Sequence, residues 1–289
     1  FWAQYDHIYI PELGHNVSVT DYAHTLYIRA SWTEFNPQED VYGWKIDSNL
    51  RAYIEGAYQR NMRLAFRVVV DSRDKRTEFT PQFVKDAGAK GFMNKGKWSP
   101  YSDDPVFQKY YTKFVKALAK DFNDPSKVEF IDGFGLGKWG EYHTMIYSTG
   151  DDTPKKAVFD WVTDIYSQAF DKVPVVINYH RWIGAGKDWV DDEHFAADSE
   201  EMLEEAIKKG YSLRHDAFGM TTYYGSWERR FAKKYRNICP IIMEGGWIVK
   251  SHSYWQDPRG YRKDSHEDVR RGEFDDSKEA HVNMMDFRF

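Results

Sequence analysis

The chain has 289 residues, 42% of them hydrophobic, enough for a sizeable core and within the range that an α/β barrel fills as one unit. Its 40 basic and 45 acidic side chains are interspersed and leave a net charge of −5, which gives no electrostatic footprint for a nucleic-acid partner. No apolar stretch approaches the ~20 residues that span a bilayer, and the single cysteine, Cys239, excludes an internal disulfide.

Phe1 opens the chain with neither initiator Met nor signal peptide, so the N-terminus reads as trimmed. The first predicted strand is His7–Ile10, followed by an N-glycosylation pattern at Asn16-Val17-Ser18. A second strand, Thr25–Ala30, leads to a helix with Leu50, Ile54, Ala57 and Tyr58 on one face and Asp47 as its expected N-cap. The third strand is Leu64–Val70. Asp104-Pro105 then opens a helix whose stripe is Phe107, Tyr110, Tyr111, Phe114, Val115 and Leu118. Strand four, Val128–Phe134, precedes a helix signalled by Thr153-Pro154. Strand five, Val173–Asn178, precedes a helix with Met202, Leu203, Ala206 and Ile207, closed by Gly210. Strand six is read over Ala217–Tyr223, a short helix over Arg229–Tyr235, strand seven over Ile238–Met243 and strand eight over His281–Phe287.

Most of these strands are continuous apolar runs, as parallel strands covered on both faces require. Alternation with helices implies a parallel sheet closed into a (β/α)8 barrel, a TIM barrel, occupying residues 1–289 as one unit. The sequence stops just after the eighth strand, so the last helix is expected to be missing or to belong to an absent C-terminal part. An open doubly wound sheet is disfavoured, because no Gly-rich phosphate loop follows the early strands.

In such a barrel the chemistry lies at the C-terminal strand ends. That rule selects Arg29, Trp32 and Glu34 from strand two, then Arg67, Asp71 and Arg73 from strand three. Strand four contributes Lys138, Trp139, Glu141 and His143, and strand five Asn178 and His180. Strands six and seven add Tyr223, Tyr224, Glu244 and Trp247. Two glutamates delivered by separate strand ends are what hydrolysis of a glycosidic bond needs: one proton donor, and one nucleophile or base. Eleven Trp, 20 Tyr and 19 Phe suit both stacking on sugar rings and amphipathic packing. Metal spacings of the His-Glu-x-x-His kind and a Gly-x-Ser-x-Gly elbow are absent, and Asp191, Asp192, Glu193, His194 and Asp198 read as a charged loop. The expectation is no metal and no cofactor.

The segment from Tyr27 to Asp47 resembles the second-strand motif of the β-galactosidase-like clan A glycoside hydrolases. An Arg-bearing strand (Arg29) leads to Trp32, then to a loop with Pro37, Tyr42 and Trp44, and to Asp47 before the next helix. Asp40 stands where that motif usually has Gly. Arg60 to Arg67 resembles the following helix end and third strand, and Gly137 to His143 is similar to a less characterised branch. The resemblance implies Glu141 as acid/base and Glu244 as nucleophile of a retaining enzyme acting on a β-linked oligo- or polysaccharide. Gly140 replaces the Asn that usually precedes the acid/base and contacts the sugar 2-hydroxyl.

Further expectations follow. Arg29 or Arg67 would hold Glu244 ionised, and burial beside Trp139 would keep Glu141 protonated. Arg67, Arg73, Lys138 and His180 point to an anionic sugar. A saccharide-directed role carries the expectation of a secreted, periplasmic or cell-surface bacterial protein. The rival readings are a catalytically silent polysaccharide-binding barrel and an inverting glycosidase using a different carboxylate pair.

Overall fold

The computed structural model describes residues 7–73, 75–186, 193–218, 224–245, 260 and 266–286. It opens with an antiparallel pair, β1 (Ile8–Ile10) and β2 (His15–Val17). The first predicted strand therefore pairs with its own successor and stays outside the parallel sheet. Gly14, at φ 69°, donates its amide to the Ile10 carbonyl at 3.0 Å and turns the chain back at once.

The following strands, in chain order, are β3 (Thr25–Ser31), β4 (Arg63–Val69), the hairpin pair β5 (Gly91–Asn94) and β6 (Lys97–Pro100), β7 (Val128–Asp132), β8 (Val175–Asn178), β9 (Ser212–Phe218), β10 (Ile241–Gly245) and β11 (Met284–Asp286). Leaving out the hairpin, these form one all-parallel sheet in the order β11-β10-β9-β8-β7-β4-β3. Around it lie α1 (Trp32–Phe35), α2 (Asn49–Gln59), α3 (Gln82–Asp86), α4 (Pro105–Phe122), α5 (Lys155–Ala169), α6 (Glu193–Lys208), α7 (Ser226–Tyr235) and α8 (His266–Ala280). Strand-helix alternation thus runs through to β11, with α8 placed before that strand. The β5–β6 hairpin has no counterpart in the sequence reading.

The sheet is strongly curled. The Arg214 guanidinium of β9 lies 4.5 Å from the Tyr27 ring of β3, although three strands separate them in the order. In a flat sheet they would be about 19 Å apart at ~4.8 Å per strand. Contact across the interior requires barrel curvature. Seven of the eight barrel positions are thus occupied by parallel strands among the described residues.

Outward strand residues such as Leu64, Phe66 and Val68 pack with Phe107, Tyr111 and Phe114 of α4 in one large apolar core. Asp104 caps α4 as predicted, accepting the Phe107 amide at 2.9 Å ahead of Pro105. Helix α2 is capped by Ser48, one residue later than expected, through the Arg51 amide at 3.1 Å. Cys239 is half-buried, and burial pushes its thiol up to about 11.

The sixth predicted strand needs the largest correction. The strand is Ser212–Phe218 and not Ala217–Tyr223, whose last residues lie outside the described part. Arg214, His215 and Asp216 interrupt the apolar run yet are strand residues; Arg214 and His215 are buried, and the Asp216 side chain is nearly so.

Candidate active site

Period-two alternation divides the barrel interior into layers. Ala65, Phe130, Val176 and Ile242, flanked by Tyr27 and Met284, form a small apolar cluster of their own. Two residues further along the same strands stand Arg29, Arg67, Asp132, Asn178 and Glu244, and β9 contributes Arg214 and Asp216. Strands β3, β4, β7, β8 and β10 therefore deliver an apolar or aromatic side chain first and a polar one nearer the C-terminal end, whereas β9 is polar at both levels. Register keeps these in level: Arg29 pairs with Arg67, and Asn178 with Arg214. Between Met243 and Gly245 the β9–β10 register shifts, because His215 to Phe218 is one residue longer than the segment opposite. This bulge falls at Asp216 and Glu244, where it re-aims both side chains.

Charges in this layer are paired across the barrel, with Arg67 Nη2 and Asp132 Oδ1 buried and without a hydrogen-bond partner. Arg67 and Arg214 are both fully buried. Arg214 Nη2 donates to Glu244 Oε2 at 2.5 Å and its Nε to Asp216 Oδ1 at 2.7 Å. Arg67 Nη1 donates to Asp216 Oδ2 at 2.6 Å and its Nε to Asp132 Oδ2 at 2.9 Å. Tyr27 also donates to Asp132. Burial opposes ionisation of Asp216, yet Arg67 and Arg214 outweigh it and hold its carboxyl well below the usual carboxylate range. Glu244 is thus held by Arg214, a residue absent from the sequence reading, and not by Arg29 or Arg67.

Glu141 follows β7 on a loop with unusual backbone. Gly135, Gly137, Trp139, Gly140, Tyr142 and Thr144 all have positive φ, and Trp139, at φ 60°, is a costly residue to place there. The loop is held by specific bonds. Arg29 Nη2 donates to the Trp139 carbonyl at 2.7 Å, and His180 Nε2 lies 2.8 Å from the Glu141 carbonyl. His180 Nδ1 accepts the Trp182 amide at 3.1 Å, so the ring carries its proton on Nε2 and is neutral. Burial and the neighbouring His143 bring its pKa down to about 4.

The Glu141 carboxylate receives Arg29 Nη2 at 3.1 Å, His143 Nε2 at 3.3 Å and the Arg67 charge at 3.6 Å. Burial pushes its pKa up and Asp216 adds to this, but the His143 hydrogen bond and the Arg29 charge win, leaving it below the ordinary value. The expectation of a proton held by burial beside Trp139 is therefore overturned: Glu141 is ionised at neutral pH. Gly140 has its own explanation. It sits at φ +73°, and a Cβ there would lie 3.3 Å from Val69 Cγ2 and 3.4 Å from Arg67 Cδ. An Asn at this position would be strained by the left-handed backbone and would press closely on Val69.

Several predicted site residues serve elsewhere. Trp32 is fully buried among Phe83, Phe107, Tyr111 and Phe114, on the helix side of the sheet. Glu34 closes a capping box, its Oε2 accepting the Ser31 amide at 2.9 Å. Tyr224 is buried against Phe218 and His215 and receives a hydrogen bond from Tyr179 at 3.1 Å. Asp71 and Arg73 form a buried pair at 2.7 Å, and Arg73 Nη2 also donates to the Thr144 carbonyl at 2.5 Å, bracing the Glu141 loop from outside. Lys138 lies over the Trp139 ring at 4.4 Å. Of the four residues that pointed to an anionic sugar, Arg67 and Arg73 are committed to carboxylates and His180 is neutral. Tyr223 and Trp247 lie outside the described residues, as do Asp191 and Asp192.

Arg214, Asp216, Asp132 and Tyr27 are the site residues that sequence reading missed. For Asp132 the available signal was spacing, a polar residue two positions after Phe130 as Arg67 follows Ala65 and Glu244 follows Ile242; Arg214 and Asp216 follow polar residues and carried no such signal. Among the described residues no group of His, Cys, Asp or Glu could hold a metal ion, and no helix is long and apolar enough to cross a membrane.

No protein-family model matches the chain, and no curated protein matches it in sequence. Solved structures do match in fold. A xylanase, XynB of Paenibacillus barcinonensis in complex with a conduramine derivative, aligns with a TM-score of 0.55 at 9% identity, over 93% of this chain and 78% of that one. An intracellular xylanase of Thermoanaerobacterium saccharolyticum, bound to xylotriose, gives 0.53 at 8% identity over 92% and 78%. An exo-β-1,4-mannosidase from Opitutaceae bacterium strain TAV5 gives 0.51 at 11% identity over 91% of this chain, which spans only 44% of that protein. At such identities the likeness is one of fold: this chain has the (β/α)8-barrel fold of these glycosidase structures.

Proposed function

We propose that this chain is a glycoside hydrolase that cleaves a β-linked saccharide with retention of configuration. One observation carries the reading: two carboxylates from separate strand ends, Glu141 and Glu244, are each held by a guanidinium and share one ion network. Arginine-held carboxylates at the carboxyl ends of barrel strands suit attack on an anomeric carbon. Fold likeness to xylanases and a mannosidase agrees with it. In the first step Glu244 attacks the anomeric carbon as Glu141 gives a proton to the leaving oxygen. In the second, Glu141 takes a proton from water as that water displaces Glu244.

The carboxyl of Glu141 must be protonated before the first step, and its pKa lies below the ordinary value. kcat/KM for an unactivated saccharide is therefore expected to fall about tenfold per pH unit above that value, giving an acidic optimum. An activated aryl glycoside, which needs little protonation, should escape that limb.

Glu244→Ala tests the whole reading. Turnover should drop by several orders of magnitude, roughly 10³-fold or more. Azide should restore part of the rate on an aryl glycoside, with an inverted product. Near wild-type turnover by a folded Glu244→Ala protein would sink the mechanism. The ionised resting state of Glu141 favours one rival, a silent saccharide-binding barrel. That rival requires no reducing-end release from any glycan in a panel, with binding retained by Glu244→Gln.

A further inference from the structure

We propose that Asp216 is a positioning residue that ties Glu141 and Glu244 into one unit, by dividing its two oxygens between the guanidiniums that serve them. The proposal rests on reading those glutamates as the working pair. Asp216 Oδ2 lies 2.6 Å from Arg67 Nη1, the atom that also faces Glu141 Oε1 at 3.6 Å. Its Oδ1 accepts Arg214 Nε at 2.7 Å, and the same guanidinium reaches Glu244 through Nη2 at 2.5 Å. An unbroken chain of contacts thus runs Glu141, Arg67, Asp216, Arg214, Glu244. The Asp216 side chain is only 6% exposed, so water screens little of this coupling.

Asp132, the other carboxylate beside both arginines, does not do the same work. A single oxygen, Oδ2, takes Arg67 Nε at 2.9 Å, stands 3.8 Å from Arg214 Nε and receives Tyr27. It braces the two guanidiniums through their Nε atoms and not through the Nη atoms that face the glutamates. The groups facing Glu141 are Arg29 from β3, Arg67 from β4, Asp216 from β9 and His143 from its own loop, with His180 on its carbonyl. Those facing Asp216 are Arg67, Arg214 and the Asn178 amide at 3.4 Å, with Arg29, Glu141, Tyr27, His180 and His215 within electrostatic reach.

The chain of contacts gives the network a direction of response. When Glu244 is bonded to the sugar it no longer carries its charge. Arg214 then turns more fully to Asp216, Asp216 loosens on Arg67, and Arg67 is released toward Glu141. Glu141 is thereby favoured as a carboxylate at the stage when it must accept a proton from water.

Guanidinium ¹⁵N and glutamate carboxyl ¹³C signals, followed by NMR in the intact protein, test this without substrate. Glu244→Gln removes the charge at the far end and leaves Asp216 untouched. The Arg67 signals should move, though Arg67 does not touch Glu244, and the Glu141 midpoint should fall by about half a pH unit, threefold in proton affinity. An Arg67 signal that stays put in folded Glu244→Gln overturns the proposal. In an Asp216→Asn background the Glu244→Gln effect on Glu141 should shrink by half or more; an equal effect in both backgrounds also overturns it. Should Asp216→Asn not fold, the Arg67 response to Glu244→Gln alone decides. Because neither readout uses turnover, hydrolysis and coupling can fail separately: a responsive Arg67 in a protein that cleaves no glycan rejects the hydrolase and keeps the bridge.

Discussion

Glu244 and Glu141 enter one ion network by different routes. Glu244 is a strand residue, level with Asp286 of β11 and set against the β9 bulge, so the sheet itself fixes its backbone. Glu141 stands on a loop with left-handed residues on either side, fixed by side-chain bonds from Arg29, Arg73 and His180. Their chemical settings differ in the same sense. The partner of Glu244, Arg214, is fully buried, whereas the Arg29 side chain retains 27% exposure. A position built into a sheet tolerates little change without loss of folding. A position built from a braced loop can lose function first.

Arg214→Ala should break the strand side most severely. It strips two buried carboxylates, Asp216 and Glu244, of their shared guanidinium, and about 3–5 kcal/mol of stability should go with it. Urea unfolding measures this, and a loss under 1 kcal/mol would deny the network its structural role. Arg29→Ala, on the exposed side, should cost much less stability, about 1 kcal/mol or below, while lowering turnover.

Acid separates the two regions next. His180 is neutral in the folded protein with a pKa brought down to about 4, against about 6.5 in the unfolded chain. Its contribution is complete above the unfolded value, where both states are neutral. As pH falls from 6.5 toward 4 the unfolded chain takes up the proton first and stability declines, by at most ~1.4 kcal/mol per pH unit. Asp216, depressed by burial-opposed pairing to Arg67 and Arg214, acts lower. Its contribution is full above the unfolded value near 3.9 and is lost as pH drops through the lower folded one. Urea midpoints between pH 7 and 4 should therefore slope less steeply in His180→Asn than in wild type, the remaining slope coming from buried His215, whose pKa is brought down to about 3.

Smaller effects probe the loop backbone. Gly140→Ala should cost about 1–2 kcal/mol, because φ is +73° and the new methyl would press on Val69 and Arg67. Turnover should fall more than stability does, since Glu141 is the next residue. Trp139→Gly should relieve the left-handed strain at φ 60° and gain up to ~1 kcal/mol, offset by loss of the indole contacts with His143 and Lys138. A stability loss from Trp139→Gly above 2 kcal/mol would mean the ring, not the backbone, holds the loop.

What the sequence made legible was whatever local pattern controls. Apolar runs located six of the seven sheet strands, Asp104-Pro105 located α4, and the strand-end rule brought Arg29, Arg67, Glu141, His143, Asn178 and His180 together with Glu244. What it hid depends on contacts across the barrel. Ser212–Phe218 carries charges that are tolerable in a strand only because Arg67, Asp132 and Glu244 face them from other strands. Trp32 had the right position in the chain for a mouth residue, but α1 turns it toward the aromatic rings of α4. Neither outcome is encoded within a window of ten residues.

The hairpin after β4 has a consequence for the breadth of chemistry this scaffold can accept. Its tip is a two-residue turn at Lys95 (φ 47°) and Gly96 (φ 75°), and its Met93 is 60% exposed. Its base is tied in: Ser72 Oγ donates to the Trp98 carbonyl at 2.7 Å, and Ser99 Oγ accepts the Ser72 amide at 2.8 Å. A ladder anchored at its base and closed by a two-residue turn is modular. Tips of other lengths can be exchanged between Phe92 and Trp98 while Asp71, Ser72 and Ser99 stay in place. The barrel would then keep its ion network, while the protrusion beside the Glu141 loop changes its reach.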